Sequence, residues 1–353
     1  MQKYIDKVRN GERLSIEGAL ELAKNCDIHT LGELGKEARE KRFGNKAFWV
    51  YNQHLNFTNV CANACRFCAF YKRAGADGSY TYSIDDVRER IRSRAHEPIR
   101  EIHIVGGLNP DLPYSYYMDL IAAIREERPN VAIKAFTAVE IAHLAQHMGK
   151  SHKEILTDMR AAGLDALPGG GAEVFSPKLR EKLCPEKLSG EEWLKIHETA
   201  HGMGIPTNCT LLFGHIETWE DRLEHMAALR ELQDRTGGFK VFIPLQYQPK
   251  NNPLESQGTD GQDYLRMIAI ARIFMDNIDH LKAYWAFSGI KAAQMALHAG
   301  ADDFDGTLVE EKVGHAAGAS SPTGMTVAKL EEHIRQAGFT PVERDTFFEE
   351  VHA

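Results

Sequence analysis

Three cysteines lie within eight residues of a chain that is otherwise poor in cysteine. Cys61, Cys65 and Cys68 follow the pattern C-x3-C-x2-C, and the remaining cysteines are scattered singly. Thiolates at such short spacing are typical ligands of an iron–sulfur cluster. Three thiolates leave one iron of a [4Fe-4S] cluster without a protein ligand, so a small molecule is expected to complete its coordination. The spacing therefore predicts a cluster with an open iron where chemistry starts.

A structural zinc site is the main alternative use of these thiolates. His54 could supply a fourth ligand, since tetrahedral sites with three cysteines and one histidine are common. Such sites usually combine two short ligand pairs separated by a longer loop, and this compact run does not. Disulfides are less favoured, because the other cysteines are isolated and the N-terminal residues do not resemble a secretory signal.

The composition indicates a globular protein that handles small molecules. Of the 353 residues, 43% are hydrophobic and 26% are charged, and no stretch has the apolar length of a membrane span. The net charge of −8 disfavours a nucleic-acid partner, because phosphate recognition needs a concentrated basic surface. We expect a small-molecule substrate, no membrane partner and a location in the reducing cytoplasm. The sequence makes no prediction of the oligomeric state.

Beyond residue 48, short strand-like runs alternate with capped helices, which is typical of a parallel α/β sheet. Capping boxes at Ser151–Glu154 and Ser189–Glu192 mark two helix starts. Eight candidate strands in roughly 260 residues predict a (β/α)8 barrel of TIM type. The last two candidates are weaker, so a partly open barrel with six strands is the alternative. The candidates are Val50–Phe57, Ile102–Val105, Ala132–Phe136, Leu164–Leu167, Thr207–Phe213, Lys240–Leu245, Leu281–Ala286 and Asp302–Leu308.

The predicted organisation has three parts. Residues 1–48 form an N-terminal helical extension, in which Thr30 and Glu33 are expected to cap the second helix. Residues 49–320 form the barrel. Residues 321–353 form a C-terminal helix and an extended tail that pack on the barrel.

The cysteine run after the first strand resembles the motif of the radical S-adenosylmethionine (SAM) enzymes, and Phe67 occupies the aromatic position before the third cysteine. The resemblance implies a barrel whose mouth holds a [4Fe-4S] cluster on Cys61, Cys65 and Cys68. It also implies that SAM chelates the fourth iron through its amino and carboxylate groups. An electron from a donor such as flavodoxin or ferredoxin then cleaves SAM to a 5′-deoxyadenosyl radical.

Longer segments narrow the resemblance to radical SAM enzymes of menaquinone and deazaflavin biosynthesis, and within them to the aminofutalosine synthases. The dehypoxanthine futalosine cyclases are similar in part, but residues 135–140 and 213–218 resemble the versions found in the synthases. The matching segments are HIVGGLNPDLP at 103–113, AFTAVE at 135–140, LPGGGAE at 167–173, FGHIET at 213–218 and DGTLVEE at 305–311.

Glycines at two strand ends are expected to lie against SAM. The resemblance implies that Gly106 and Gly107 offer backbone groups to its amino group, in a motif where this chain has Leu108 in place of an acid. A plain strand-to-helix turn is the alternative. Residues 169–171 lack the Gly-Lys-Ser/Thr ending of a phosphate loop, so they are expected to admit the adenosyl group close to the backbone.

Two charged residues after these glycines are the remaining candidates for SAM binding. Glu173 is available for the ribose hydroxyls, although an acid is also favoured at a helix N-terminus. Arg180 is positioned to meet the carboxylate of SAM, although exposed arginines on such helices are more often solvated.

Polar residues at other strand ends are the predicted catalytic and substrate-binding groups. His215 and Glu217 are assigned to catalysis, because barrel enzymes keep their sites at the carboxyl ends of the strands. A helix-capping role for Glu217 and a packed-core role for the residues of the first strand are the alternatives. The candidates for substrate binding are His54, Asn56, Thr58, Lys134, Gln246 and His315, with Gln248 and Lys282 of similar standing.

For a synthase, the resemblance implies that the adenosyl radical adds to the enolpyruvyl double bond of 3-[(1-carboxyvinyl)oxy]benzoate. Aryl migration and loss of bicarbonate then give 6-amino-6-deoxyfutalosine, and SAM is consumed as a co-substrate. The first alternative is a cyclase, which abstracts hydrogen instead. The second, from another class, is an electron-transfer or structural metal protein.

Overall fold

Strands and helices alternate along residues 1–319 and 321–352, which the computed structural model describes. The strands are β1 (Lys46–Val50), β2 (Asn52–Leu55), β3 (Glu101–Ile104), β4 (Ala132–Ala135), β5 (Thr207–Phe213), β6 (Phe239–Gln246), β7 (His280–Leu281), β8 (Asp303–Gly306) and β9 (Thr340–Glu343). The helices are α1 (Gln2–Arg9), α2 (Ile16–Asn25), α3 (Ile28–Phe43), α4 (Ile84–Ser93), α5 (Tyr114–Glu127), α6 (Ala138–Met148), α7 (His152–Ala162), α8 (Pro177–Leu183), α9 (Gly190–Gly202), α10 (Trp219–Thr236), α11 (Gly261–Phe274), α12 (Trp285–Ser288), α13 (Ile290–Ala299), α14 (Val313–Ala316) and α15 (Val327–Gln336).

The strands are parallel and follow one another around a ring. Regular pairing forms three sheets, in the orders β8-β1-β9, β2-β3-β4 and β5-β6-β7. Single parallel bridges join these sheets: Lys134 with Ala166, Leu167 with Thr207, Lys282 with Asp303, and Gln53 with Val309. The predicted α/β barrel of TIM type is therefore confirmed, with its pairing interrupted at the junctions between sheets.

Three local predictions were wrong. The segment Leu164–Leu167 makes only single bridges and is not a regular strand. The segment Leu281–Ala286 leaves the sheet early, because α12 begins at Trp285, whose indole N–H donates to the carbonyl of Gly306 at 3.0 Å. Thr30 lies inside α3, since Asp27 is the N-cap and its carboxylate accepts from the Thr30 N–H at 2.9 Å.

The N-terminal helices pack closely against the outside of the barrel. A Cβ atom on Gly35 of α3 would lie 2.1 Å from the carbonyl oxygen of Ala299 at the end of α13. The buried guanidinium of Arg39 donates to the carbonyl of Ala301 at 2.9 Å. Only a glycine permits so close an approach of two backbones, so this helix is seated directly on the barrel.

The C-terminal residues reach the opposite end of the barrel from the cysteine loop. Strand β9 pairs in parallel with β1, from Lys46 opposite Thr340 onward. Just beyond it, the Thr346 hydroxyl donates to the carboxylate of Glu101, the first residue of β3, at 2.7 Å. Among the described residues, no helix combines the length and apolarity needed to cross a membrane.

Candidate active site

A cavity of about 320 Å³ runs from the carboxyl ends of the strands into the barrel lumen. Its outer part, here called the rim, comprises the lining residues within 61–71, 105–108, 137–140 and 168–173, together with Lys187. These segments follow successive strand positions. Its inner part, here called the floor, lies toward the amino ends of the strands and comprises Asn52, His54, Glu101, His103, Lys134, Lys282 and Asp305.

The rim contains the three cysteines of the C-x3-C-x2-C run. Their loop is anchored by backbone bonds, from the Ala62 N–H to the Leu108 carbonyl at 2.8 Å and from the Arg66 N–H to the Leu183 carbonyl at 2.9 Å. The Leu108 N–H also points at Cys61 Sγ, 3.3 Å away. All three cysteines are free thiols that line the cavity, so the loop presents them as a set of ligands.

The geometry of this set fits a cluster better than a single zinc ion. Among the residues described, no three Cys, His, Asp or Glu side chains converge as a single metal ion would require. Thiolates of an iron–sulfur cluster each bind a separate iron, so they stand further apart. Burial raises the pKa of Cys65 to about 12, and a cationic iron centre would offset that penalty on its thiolate.

Glycines allow the backbone of the rim to pack closely around the cysteine loop. A Cβ atom on Gly107 would lie 2.1 Å from the carbonyl oxygen of Val60, and one on Gly106 would lie 2.6 Å from the Phe57 ring. The N–H of Gly107 donates to the Thr58 carbonyl at 2.9 Å. The turn is therefore packed directly against the backbone that leads into the cysteine loop.

Glu173 and Lys187 form an ion pair at the edge of the rim. Lys187 Nζ lies 2.5 Å from Glu173 Oε1 and 5.3 Å from the centre of the Phe67 ring. Burial alone would lower the pKa of Lys187, but the neighbouring Cys65 and Glu173 raise it, so the ammonium group stays charged. Glu173 itself has a φ of +48°, a left-handed conformation that directs its side chain into the cavity lining.

Buried ion pairs fill the floor. Lys134 Nζ lies 2.5 Å from Glu101 Oε2, and each side chain is 2% exposed. The same carboxylate oxygen accepts from the Thr346 hydroxyl. Burial alone would raise the pKa of Glu101, but Lys134 and His103 hold it well below its ordinary range. The carboxylate is therefore charged, and its Oε2 atom accepts from both Lys134 and Thr346.

A second set of charges closes the other side of the floor. Lys282 pairs with Asp305 and lies 3.7 Å from Asp303. Arg344 Nε donates to the carboxylate of Asp303 at 2.7 Å. Together with Glu101 and Lys134, these residues balance three cations against three carboxylates. The floor therefore carries no net charge of its own.

Comparison with known protein families shows to which family this chain belongs. The model described as the Radical SAM superfamily matches residues 55–229, and the one described as the CofH/MqnC C-terminal region matches residues 236–352. The chain is 44% identical to an aminodeoxyfutalosine synthase of Thermus thermophilus, over 98% of this chain and 94% of that protein. The chain belongs to the radical SAM superfamily.

Similarity to other proteins supports the assignment to the radical SAM superfamily. An aminodeoxyfutalosine synthase of Streptomyces coelicolor is 41% identical over 97% of this chain and 92% of its own. A cyclic dehypoxanthine futalosine synthase of the same organism is 37% identical over 99% and 89%. The solved structure of methylornithine synthase has a TM-score of 0.74 at 17% identity, over 96% of this chain and 97% of that one, which shows a shared fold.

As a radical SAM enzyme, the protein uses a [4Fe-4S] cluster and SAM. Cys61, Cys65 and Cys68 are the residues that would hold the cluster. The glycine turn at 106–107, Phe67 and the Glu173–Lys187 pair line the same part of the cavity as these cysteines. When bound, this cofactor pair supplies the 5′-deoxyadenosyl radical, and the protein supplies the enclosed space in which it reacts.

Arg180 does not reach the cavity of this radical SAM enzyme. Its guanidinium donates to the carbonyls of Ala172 at 2.7 Å and Val174 at 3.2 Å, and so holds the backbone on both sides of Glu173. The predicted contact with the carboxylate of SAM is thus replaced by a structural one. Lys187 is the cation that lines the rim, and no motif in the sequence distinguishes it from other lysines.

His215 and Glu217, the predicted catalytic pair, lie outside the cavity lining and have no exposed side-chain surface. Glu217 accepts from the backbone N–H of Gly214 at 2.6 Å and from Arg222 Nε at 2.8 Å. Burial would raise the pKa of Glu217, but its bonds with His215 and Arg222 lower it to about 2. His215 and Glu217 therefore stabilise the conformation of the loop that contains them.

Two of the six predicted substrate-binding residues, His54 and Lys134, line the cavity, and Gln248 does so as well. Strand β2 ends at Leu55, so the alternation expected of Asn56 and Thr58 does not continue. The side chains that do not reach the cavity bond elsewhere: Asn56 to the Val105 carbonyl, Thr58 to the Tyr80 carbonyl, Gln246 to the Thr259 carbonyl and His315 to Glu311.

Glu140 is a residue of the rim that the sequence did not single out. It caps α6, and its carboxylate accepts from the N–H groups of Thr137 at 2.6 Å and Gly106 at 3.2 Å. Burial raises the pKa of Glu140 to about 7. A Thr-x-x-Glu capping box was the available signal, but it predicts a helix start and not a position in the cavity.

Proposed function

We propose that this radical SAM enzyme joins the 5′-deoxyadenosyl group of SAM to 3-[(1-carboxyvinyl)oxy]benzoate and forms 6-amino-6-deoxyfutalosine for menaquinone biosynthesis. The adenosyl radical adds to the enolpyruvyl double bond, the aryl group migrates, and the enolpyruvyl carboxylate leaves as bicarbonate after addition of water, with release of the electron that had cleaved SAM. The observation that carries the proposal is the identity of 44% and 41% with two aminodeoxyfutalosine synthases over almost the whole chain.

The shape of the cavity supports a reaction between two bound molecules. A single cavity connects the cysteine loop to the floor, so an acceptor below the adenosyl group would lie in line with it. The strands and the C-terminal residues enclose its inner end. Such a lumen keeps water and other hydrogen donors away from a radical, which favours addition to the acceptor over quenching.

A cyclase reaction is the second candidate, because a cyclic dehypoxanthine futalosine synthase is 37% identical over 99% of the chain. In that reaction the adenosyl radical abstracts hydrogen and leaves as free 5′-deoxyadenosine. The two candidates therefore differ in the fate of the adenosyl carbons. We place either reaction in the reducing cytoplasm, with flavodoxin or ferredoxin as the electron donor.

A product assay tests the proposal. The protein is reconstituted anaerobically with iron and sulfide, then incubated with SAM, dithionite and the enolpyruvyl benzoate. Mass spectrometry is expected to detect a product that contains both the adenosyl group and the aromatic ring, with methionine formed in equal amount. Formation of free 5′-deoxyadenosine alone would contradict the synthase reaction.

A further inference from the structure

Three polar side chains occupy one level of the barrel lumen. His54, His103 and Lys134 are register partners across β2, β3 and β4, and all three line the cavity. Partners in a parallel sheet project from the same face. Glu101 lies two residues before His103, about 6.6 Å nearer the amino end of its strand. The three side chains therefore lie closer to the carboxyl ends of the strands than the buried carboxylate of Glu101 does.

The two imidazoles among these side chains are stacked, and their hydrogen-bonding groups are available. The ring centroids of His54 and His103 are 4.7 Å apart, with 20° between the planes. His54 is only 6% exposed, and none of the described residues forms a hydrogen bond with its ring nitrogens. His103 Nδ1 faces Glu101 Oε1 at 3.7 Å, a loose ion-pair contact that leaves its Nε2 as the available ring nitrogen.

The cations around the same cavity are already paired. Lys134 is bound to Glu101, Lys282 to Asp305, and Lys187 to Glu173. A carboxylate that enters the lumen thus meets lysines whose charge is neutralised by neighbouring acids. The ring nitrogens of His54 and Nε2 of His103 face it, and none of the described residues forms a hydrogen bond with them, so they are the better donors.

The two carboxylates of the proposed substrate must lie at different depths. The enolpyruvyl double bond has to meet the adenosyl group, and the cysteines that locate SAM lie at the rim. The ring carboxylate is meta to the ether oxygen, and the benzene ring separates it from the enolpyruvyl double bond, so it points inward. Ile243 and Leu245 of β6 line the cavity and offer an apolar wall to the ring.

We propose that His54 and His103 bind the ring carboxylate of the substrate through their N–H groups and select an acceptor that carries it. This inference rests on the proposed function and specifies the substrate end that the floor recognises. Burial and the neighbouring His103 lower the pKa of His54 well below its ordinary value, so its ring is a neutral donor before the substrate binds. A hydrogen bond to a charged group contributes roughly tenfold or more in affinity.

Calorimetric binding to the reconstituted enzyme with SAM but no reductant tests this proposal without turnover. The ligands are the enolpyruvyl benzoate and the same ether without its ring carboxylate. We expect the wild type to bind the benzoate at least about tenfold more tightly. His103→Phe and His54→Phe keep an aromatic ring but remove the donors, so each should lose most of that preference while binding the simpler ether as well as before. His103→Gln should retain part of it.

His147→Phe is the matched control, since His147 also lies beside another imidazole, that of His143 at 4.3 Å, but on the surface of α6. It should bind both ligands as the wild type does. Equal affinity of the wild type for both ligands, or an unchanged preference in both phenylalanine variants, would overturn the inference. If the wild type still forms the coupled product in that case, the proposed function stands. If the wild type binds neither ligand, both fail.

Discussion

The rim and the floor belong to one cavity, but they are assembled from different kinds of contact. At the rim, a short loop presents three thiols, and backbone bonds and glycines hold it in place. At the floor, buried ion pairs connect residues from distant parts of the chain. The thiols of the rim are suited to bind metal ions, whereas the charges of the floor are balanced by other side chains. Loss of a rim residue should therefore cost cofactor, and loss of a floor residue should cost folding free energy.

The largest expected effect is the loss of a rim thiol. Cys65→Ala removes one of three cluster ligands, so we expect the reconstituted protein to lose its iron–sulfur absorbance and all SAM cleavage. Cys184→Ala is the matched control, because Cys184 is buried next to Leu183, whose carbonyl anchors the loop, but it does not line the cavity. Equal iron content in the two variants would contradict this assignment.

At the floor, breaking an ion pair should unfold the protein more readily. Glu101→Gln leaves Lys134 charged and buried, so we expect the free energy of unfolding to fall by about 3–5 kcal/mol. Urea denaturation of the protein without cluster measures this change. The double variant Glu101→Leu with Lys134→Met should recover most of the loss, because it removes both charges. A loss confined to cluster binding would mean that the division between rim and floor is wrong.

Glu140 gives the rim a dependence on pH. Its folded pKa of about 7 lies above its ordinary value of 4.5, so the folded state holds the proton more tightly than the unfolded state. The contribution of Glu140 to stability is therefore fully present below pH 4.5 and is lost as the pH rises through about 7, by on the order of 3 kcal/mol. Denaturation between pH 5 and pH 8 should show this decline in the wild type and a flatter profile in Glu140→Gln. Parallel profiles would contradict it.

The smallest of these effects is expected for the glycine turn. Gly107→Ala brings a Cβ atom against the backbone of Val60, which cannot move independently of the cysteine loop, so we expect a loss of about 1–3 kcal/mol. Gly32→Ala in α3 is the control, because nothing lies within 4 Å of the added atom. The control should be neutral or slightly stabilising. Similar losses in both variants would show that the close approach at the rim is not the cause.

The same contrast explains what the sequence could predict. The cluster ligands were predictable because they lie in one short run, and the barrel was predictable because strands and capped helices alternate locally. The floor was not, because its partners are far apart in sequence: Glu101 and Thr346 are separated by 245 positions. No periodic pattern connects such residues before the chain is folded.

Position at a strand end was a weaker guide to function than expected. His215 and Glu217 follow β5, but their side chains bond to their own loop and to Arg222. His103 lies within β3 and faces the lumen. The sequence places both kinds of residue near a strand end, but only the path of the backbone decides which of them faces the cavity.

In the proposed reaction, SAM bound at the rim supplies an adenosyl radical that is added to an acceptor whose ring end lies at the floor. The most direct test uses two samples of the enolpyruvyl benzoate, with an isotopic carbon label either in the ring carboxylate or in the enolpyruvyl carboxylate. We expect the ring label to be retained in the adenosine-coupled product and the enolpyruvyl label to be released as bicarbonate. Retention of both labels in unreacted substrate, alongside free 5′-deoxyadenosine, would contradict it.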